Sequence, residues 1–121
     1  MKKKILVVDD EQYILEMIQL RLEEAYDVKI ASSGEKAFTI ALSFQPDLIL
    51  MDLILESGMS GIQTISKIKS EDETKDIPIL VLTGKTLDED KEESLKVGAS
   101  EFISKPILPS RLIERINEYL K

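Results

Sequence analysis

The chain has 121 residues, a formal net charge of −7, and neither cysteine nor histidine. That length suits one domain with a hydrophobic core of its own, so we expect residues 1–121 to form a single domain. The missing residue types exclude disulfides, thiolate chemistry and imidazole ligands, which leaves carboxylates, hydroxyls, lysine and metal for any chemistry. Because Lys2 to Lys4 is the only basic run, we do not expect this domain to bind nucleic acid directly.

The apolar segments are short. Only four strongly apolar residues separate Lys4 from Asp9, whereas the core of a signal peptide needs roughly 7 to 15. No segment approaches the length of a membrane span. We therefore expect a cytoplasmic protein without a membrane partner.

Short apolar runs alternate with stretches of helical periodicity. The runs predict strands at residues 5–8, 28–31, 48–51, 77–82 and 101–104. Apolar residues at helical spacing predict five helices: one at about 11–24, one carrying Ala37, Ile40, Ala41 and Phe44, one carrying Ile62, Ile65 and Ile68, one at about 87–97, and one carrying Leu112, Ile113, Ile116, Tyr119 and Leu120. Five strands alternating with five helices are typical of a doubly wound α/β domain with a parallel sheet.

Two helix ends carry specific signals. Ser32, with Glu35 three residues later, has the spacing of a capping box at the start of the second helix. Gly98 suits a left-handed residue at the end of the fourth helix. That helix is rich in charge and has little besides Leu87, Leu95 and Val97 to bury, so we expect it to be the most loosely held.

Polar groups follow four of the predicted strands. Asp9 and Asp10 follow the first, Asp52 the third, Thr83 the fourth and Lys105 the fifth. In an open α/β sheet, ligands bind at the carboxyl ends of the strands, so we expect these groups to converge. If they meet, each pair of carboxylates ~4 Å apart costs on the order of 4 kcal/mol at an effective dielectric constant of about 20. A ligand set made of oxygen alone favours a hard divalent cation such as Mg²⁺.

A magnesium site of this kind suits phosphoryl chemistry. Asp52 could accept a phosphoryl group as an acyl phosphate, while Lys105 and Thr83 bind its oxygens. Each residue also has an ordinary structural explanation: a helix cap for Asp10, a turn for Asp52, a strand-end hydroxyl for Thr83, a solvated amine for Lys105 and a core position for Phe102. The coincidence of this chemistry at four strand ends favours a functional site.

Four segments carry a family resemblance: Ile5-Leu-Val-Val-Asp-Asp-Glu11, Leu50-Met-Asp-Leu53, Leu82-Thr-Gly84 and Phe102-Ile-Ser-Lys-Pro106. Over its whole length the sequence resembles the receiver domain of bacterial two-component response regulators. The resemblance implies a flavodoxin-like sheet with strand order 2-1-3-4-5 and a cis bond between Lys105 and Pro106. It also implies a phosphorylation-dependent switch in two-component phosphorelay signalling, a regulatory domain that catalyses at most its own phosphotransfer and dephosphorylation.

The resemblance implies roles for the residues around Asp52. Asp10 and Asp52 would bind Mg²⁺ directly together with the backbone carbonyl of Ile54, and Asp9 would act mainly through water. Lys105 and Thr83 would bind the phosphoryl group.

The resemblance also implies a switch and its partners. Phe102 would turn inward when Thr83 moves, and the face of helix 4, strand 5 and helix 5 would change for an output domain or target protein. Gly84 would admit the phosphoryl donor, while Ile54 and Lys85 hold positions that tune hydrolysis in relatives. A sensor histidine kinase or phosphotransfer protein would approach near a small set of residues on helix 1 and in the turn after strand 5: Gln12, Tyr13, Ile14 and Pro106.

The loop after Asp52 departs from the family pattern. Relatives usually have a proline where this chain has Glu56, and a glycine one residue earlier than Gly61. Because the extra residue falls beyond Ile54, we expect metal binding to survive and the loop that enters the third helix to change shape.

Three alternatives predict different sequence features. A flavodoxin-like cofactor module would need a loop rich in Ser, Thr and Gly after the first strand, where this chain has acidic residues 9–11. A haloacid-dehalogenase-like phosphatase would need an Asp-x-Asp pair there. A receiver-like interaction domain that is not phosphorylated stays open, although the residue set is intact. The chain stops soon after the fifth helix, so a stand-alone regulator and a piece of a longer protein both remain open.

Overall fold

The computed structural model describes residues 2–55, 58–85 and 87–120 and contains a five-stranded parallel sheet. The strands are β1 (Lys4–Val8), β2 (Asp27–Ala31), β3 (Leu48–Met51), β4 (Ile79–Thr83) and β5 (Glu101–Ser104). The helices are α1 (Gln12–Leu22), α2 (Gly34–Phe44), α3 (Gly61–Ser70), α4 (Asp88–Lys96) and α5 (Pro109–Tyr119). The strand order is β2-β1-β3-β4-β5, which confirms the predicted fold.

Apolar side chains cover both faces of the sheet. Leu6, Ile49 and Val81 belong to the core on the side of α2 and α3. Neighbouring residues of the same strands, such as Val7 and Leu50, belong to the core on the side of α1 and α5. Successive strand residues point to opposite faces, so each strand contributes to both cores. The two cores hold the carboxyl ends of β1, β3 and β4 in a fixed register.

The start of α2 corrects one prediction. Ser33, not Ser32, is the N-cap, and its hydroxyl accepts a hydrogen bond from the Lys36 N–H at 3.2 Å. Glu35 closes no capping box at Ser32; its carboxylate accepts from the Met59 N–H at 3.0 Å and so ties α2 to the segment before α3. A capping box is formed instead at the start of α3, between Ser60 and Gln63.

The fourth helix has little apolar contact with the rest of the protein. Leu87 is 61% exposed and Leu95 is 39% exposed, so the expectation that they are buried was wrong. Within α4, all of whose residues are described, Ser94 is the buried residue. Val97 does pack against the core, and Gly98 has the predicted positive φ, at 121°.

The carboxyl-terminal helix agrees with its predicted face except at one residue. Leu112 and Ile116 are buried, whereas Tyr119 is 39% exposed. None of the helices within the described ranges is long and apolar enough to span a lipid bilayer.

Candidate functional site

The candidate site lies where the parallel strands end. The backbone N–H of Asp52 donates to the Val8 carbonyl at 3.0 Å, which continues the pairing of β3 with β1 by one residue. In the same way, the Lys105 N–H donates to the Thr83 carbonyl at 2.8 Å, beyond the end of β5. The register of the sheet therefore places Asp52, Thr83 and Lys105 at one edge, as the sequence predicted.

The ammonium group of Lys105 bridges two buried carboxylates. Its Nζ lies 2.7 Å from Asp9 Oδ2 and 3.0 Å from Asp52 Oδ2. The exposed fraction is 2% for Asp9 and 5% for Asp52. Burial lowers the pKa of Lys105, but the hydrogen bonds and negative charges of the two aspartates outweigh it, and the pKa is raised above its usual 10.5. Lys105 therefore remains protonated at neutral pH.

Asp9 is held in an environment that opposes its ionisation. Burial raises the pKa of its carboxyl group above the ordinary 3.8. The hydrogen bonds from Lys105 and from the Glu11 N–H, together with the positive charge of Lys105, act in the opposite direction without cancelling the rise. The negative charge of Asp52 adds to it. The two carboxylates thus share one ammonium that cannot fully neutralise both.

The carboxylate of Asp52 is oriented by three donors. Its Oδ1 accepts from the Thr83 hydroxyl at 2.7 Å and from the Ile54 N–H at 3.0 Å. Lys105 donates to the other oxygen. A β-carbon built on Gly84, the residue after Thr83, would meet no atom within 4 Å outside its two chain neighbours, so the space beside Gly84 is open. Asp52 is thus fixed in direction, with donors on both oxygens.

Gly61 packs directly against the backbone of Asp52 and Leu53. A β-carbon at this position would lie 2.4 Å from the Asp52 carbonyl oxygen and 2.5 Å from the Leu53 Cα. Only glycine permits α3 to begin so close to the end of β3. The glycine therefore makes this contact despite standing one residue late in the sequence. Glu56, the other half of that departure, lies outside the described residues.

The oxygen groups near Asp52 have the chemistry that a hard cation prefers. Asp9 and Asp52 offer carboxylate oxygens, and Ile54 adds a backbone carbonyl to the same segment, which is the oxygen chemistry that Mg²⁺ prefers. Asp10 follows Asp9 directly and is half-buried. Within residues 2–55, 58–85 and 87–120, no group of three acidic side chains is placed to hold a metal ion. The convergence of Asp10 with the other two carboxylates, and its role as a direct ligand, therefore stay predictions.

The predicted switch aromatic lies on the neighbouring strand. Phe102 pairs with Val81 in the register of β4 and β5, is half-buried, and packs against the core on the side of α2 and α3. The peptide bond between Lys105 and Pro106 is cis, as predicted. The switching role of Phe102 and Thr83 stays a prediction.

A groove between α1 and α5 opens beside the turn that carries Lys105. It encloses about 190 Å³, and Ile14, Pro106 and Leu112 are among its lining residues. Gln12 and Tyr13, just before Ile14 on α1, are exposed, Tyr13 to 65%. Of the residues expected near a kinase, Ile14 and Pro106 thus line the groove and the other two are open to solvent.

One contact near the site carried no signal in the sequence. Lys85 donates its N–H to the Thr83 hydroxyl at 3.3 Å, and its Nζ lies 3.4 Å from Asp90 Oδ1 on α4. Asp90 is one of several acidic residues in that helix, and nothing in their spacing distinguishes it.

A comparison with known families identifies the class of the domain. The model of the response regulator receiver domain family matches residues 5–117. The chain therefore belongs to the family of response regulator receiver domains, and it is a regulatory domain of two-component signalling.

Individual relatives are transcriptional regulators that are longer than this chain. It is 41% identical over 120 residues to the phosphate regulon transcriptional regulatory protein PhoB of Pseudomonas aeruginosa, a match that covers 98% of this chain and 52% of PhoB. It is 38% identical over 122 residues to the alkaline phosphatase synthesis transcriptional regulatory protein PhoP of Bacillus subtilis, covering 100% of this chain and 50% of PhoP. The chain thus spans about half the length of these curated relatives.

Solved structures agree with the fold over nearly the full chain. The chemotaxis protein CheY4 of Vibrio cholerae has a TM-score of 0.91 and 31% identity, covering 98% of this chain and 99% of CheY4. A CheY-like receiver domain protein of Methanospirillum hungatei has a TM-score of 0.92 and 31% identity, covering 99% of this chain and 94% of its own.

The shared ammonium predicts a pH-dependent gain in stability for Asp9→Asn. Burial places the pKa of Asp9 in the folded protein above its value in the unfolded chain. The protonated side chain therefore favours the folded state: this stabilisation is complete below the unfolded pKa and is lost as the pH rises through the folded pKa. In magnesium-free buffer we expect Asp9→Asn to raise the free energy of unfolding at neutral pH by on the order of 1 kcal/mol. The gain should shrink as the pH falls from neutral through the raised folded-state pKa, and it should be absent once the pH is below the unfolded value of 3.8. Urea denaturation at several pH values measures it.

Asp27→Asn, at an exposed position on β2, serves as the control and should change the free energy of unfolding little at any of these pH values. Equal or lower stability of Asp9→Asn at neutral pH would contradict the account of the shared ammonium.

Proposed function

We propose that residues 1–121 form a single receiver domain that acts as a phosphorylation-dependent signalling switch, with Asp52 as the phosphoacceptor. The arrangement around Asp52 carries this proposal. Its carboxylate is 5% exposed, hydrogen-bonded to Thr83 and paired with Lys105 at a sheet edge. A buried carboxylate that serves structure alone does not need a second acid, Asp9, on the same ammonium.

The phosphoryl transfer itself needs few groups. An oxygen of Asp52 would attack the phosphorus of the donor, forming an oxygen–phosphorus bond while the bond from phosphorus to the donor breaks and its electron pair leaves with the donor. Lys105, which already donates to Asp52 Oδ2, would follow the new phosphoryl oxygens, and the Thr83 hydroxyl would donate to another. Both donors start within hydrogen-bond distance of the acceptor carboxylate.

The negative charge at the site would oppose phosphoryl transfer unless a cation is bound. We propose that Asp10, Asp52 and the Ile54 carbonyl hold Mg²⁺ directly and that Asp9 contributes mainly through water. When bound, Mg²⁺ would offset the charge that the carboxylates and the phosphoryl oxygens bring together. Lys105 alone cannot do this, because it already serves both Asp9 and Asp52.

Phosphorylation would then act through charge and hydrogen bonding. A carboxylate charge would be replaced by a phosphoryl charge of about −1.5 to −2. The Thr83 hydroxyl would leave Asp52 Oδ1 for a phosphoryl oxygen, and Phe102 on the neighbouring strand would turn inward. The exposed Leu87 and Leu95 leave α4 with little apolar anchoring, so the face of α4, β5 and α5 can change its arrangement for a partner.

The partners follow from this scheme. A sensor histidine kinase or a phosphotransfer protein would supply the phosphoryl group in the cytoplasm, and an output domain or a separate target protein would bind the changed face. The net charge of −7 favours neither direct nucleic-acid contact by this domain nor contact with an acidic membrane surface. The domain itself would catalyse at most its own phosphotransfer and dephosphorylation.

Acetyl phosphate, a small donor that needs no docking surface, tests the acceptor. We expect wild-type protein with acetyl phosphate and Mg²⁺ to gain the mass of one phosphoryl group, and Asp52→Asn to gain none, because an amide cannot form the acyl phosphate. Asp27→Asn is the matched control and should be labelled like the wild type. An unlabelled wild type would favour the alternative of a receiver-like interaction domain that is not phosphorylated.

Magnesium binding tests the role of Asp10. A ligand that binds the folded state alone adds about 2.7 kcal/mol of stability at a concentration 100 times its Kd. We expect Mg²⁺ to raise the free energy of unfolding of the wild type on this scale and to have little effect on Asp10→Asn, because a direct carboxylate ligand is lost. Urea denaturation at increasing Mg²⁺ concentration measures both. An undiminished response of Asp10→Asn would remove that residue from the ligand set.

The docking face can be tested separately from the chemistry. Tyr13 is 65% exposed beside the groove between α1 and α5, so a charge placed there should weaken contact with a kinase without reaching Asp52. We expect Tyr13→Asp to slow phosphotransfer from a purified histidine kinase roughly tenfold, a common loss for a central interface residue, and to leave labelling by acetyl phosphate unchanged. A kinase that transfers at the same rate to both proteins would exclude α1 as the docking face.

A further inference from the structure

A continuous set of contacts runs from the acceptor to the fourth helix. Asp52 Oδ1 accepts from the Thr83 hydroxyl at 2.7 Å, and that hydroxyl accepts from the Lys85 N–H at 3.3 Å. The Lys85 side chain then reaches α4, where its Nζ lies 3.4 Å from Asp90 Oδ1. A hydroxyl has one donor and two acceptor sites, so Thr83 can serve Asp52 and Lys85 together.

Asp90 differs from the other acids in the first turn of α4. Its side chain is 15% exposed, whereas Asp88 and Glu89 are exposed residues. Among the described residues, no donor reaches Asp90 Oδ2, which is buried. A buried carboxylate oxygen without a hydrogen bond is costly, and the ion pair of Lys85 with the other oxygen, Oδ1, offsets part of that cost. An acid that served the helix dipole alone would gain the same benefit while exposed.

We propose that Asp90 is a positioning residue for the Asp52 site. By pairing with the Lys85 side chain, it holds the Lys85 N–H on the Thr83 hydroxyl, in the arrangement that suits an unphosphorylated carboxylate. The inference rests on the phosphorylation of Asp52 proposed above. Once the Thr83 hydroxyl follows a phosphoryl oxygen, the Lys85 N–H loses its acceptor, Lys85 shifts, and its ion pair with α4 weakens.

Weakening the ion pair between Lys85 and Asp90 should loosen α4 more than the loss of one ion pair usually would, because α4 makes few other apolar contacts with the protein. Leu87 and Leu95 at its two ends are exposed, and Ser94 is its buried residue. Coupling between two sites is reciprocal. If phosphoryl occupancy weakens the ion pair, then weakening the ion pair must favour phosphoryl occupancy by the same factor.

Beryllofluoride, a noncovalent phosphoryl mimic, tests this reciprocity on the full chain with Mg²⁺ present. We expect Asp90→Asn to bind beryllofluoride about threefold more tightly than the wild type, the range of a partly exposed ion pair. Without beryllofluoride, the amide hydrogens of α4 should exchange faster in Asp90→Asn by a similar factor. Asp88→Asn makes the same charge change in the same turn and should shift neither measurement.

The partner of Asp90 supplies the stricter test. In a Lys85→Met background, Asp90→Asn should add nothing to either measurement, because the pair is already broken. Lys85→Arg retains a cation for the pair, so in that background Asp90→Asn should again shift both measurements. An effect of Asp90→Asn that equals that of Asp88→Asn, or that persists without Lys85, would overturn the proposal.

The two proposals fail in different ways. A wild type that takes neither beryllofluoride nor the phosphoryl group of acetyl phosphate would overturn the switch, and with it the role of Asp90. A wild type that takes both, while Asp90→Asn matches it in affinity and in α4 exchange, would overturn the role of Asp90 alone.

Discussion

The pairing of one ammonium with two buried carboxylates is the interaction on which the rest of the site depends. Lys105 reaches both Asp9 and Asp52, each almost without solvent contact. Two like charges in a medium of low dielectric constant repel strongly, and a single cation offsets only part of that repulsion. The folded protein therefore holds an excess of negative charge at one point. The packing of the strands that end in these carboxylates keeps the carboxylates together.

The packing explains how such an arrangement survives. Apolar residues fill both faces of β1, β3 and β4, and the backbone pairing continues one residue beyond the strands, to Asp52 and Lys105. The charged residues are thus held by a backbone that cannot relax without disrupting two cores. Electrostatic strain at the sheet edge is balanced by hydrophobic burial elsewhere, which is how proteins commonly maintain reactive sites.

The sequence predicts the strands and the polar residues at their carboxyl ends well, because both are encoded in short, contiguous stretches of sequence. An apolar run identifies a buried strand, and in a parallel sheet the carboxyl ends of the strands lie at one edge. The convergence of Asp9, Asp52, Thr83 and Lys105 therefore follows from the sequence alone. Local patterns do not predict the strand order or the cis bond before Pro106. Neither composition nor periodicity determines them, and they were predicted from the resemblance to a family.

Features that depend on the path of a loop could not be predicted. Ser32 and Ser33 are both suitable N-cap residues. Ser33 is the N-cap because it has the extended backbone conformation that an N-cap requires, with φ −144° and ψ 160°. The contact of Gly61 with the Asp52 backbone and the ion pair between Lys85 and Asp90 each join segments that are distant in the sequence, so no local pattern predicts them. Leu95 was expected to be buried because it is apolar, but the residue of α4 that faces the protein is its neighbour Ser94.

The contact of Gly61 with the Asp52 carbonyl has a consequence for how such domains can diversify. Two hydrogen bonds hold the segment between β3 and α3. The Leu53 carbonyl accepts from the Gly61 N–H at 3.2 Å, and the Glu35 carboxylate accepts from the Met59 N–H. Because both ends are held, a change in chain length between these two anchor points would leave the backbone of Asp52 in place. The length of this segment can therefore vary independently of the site.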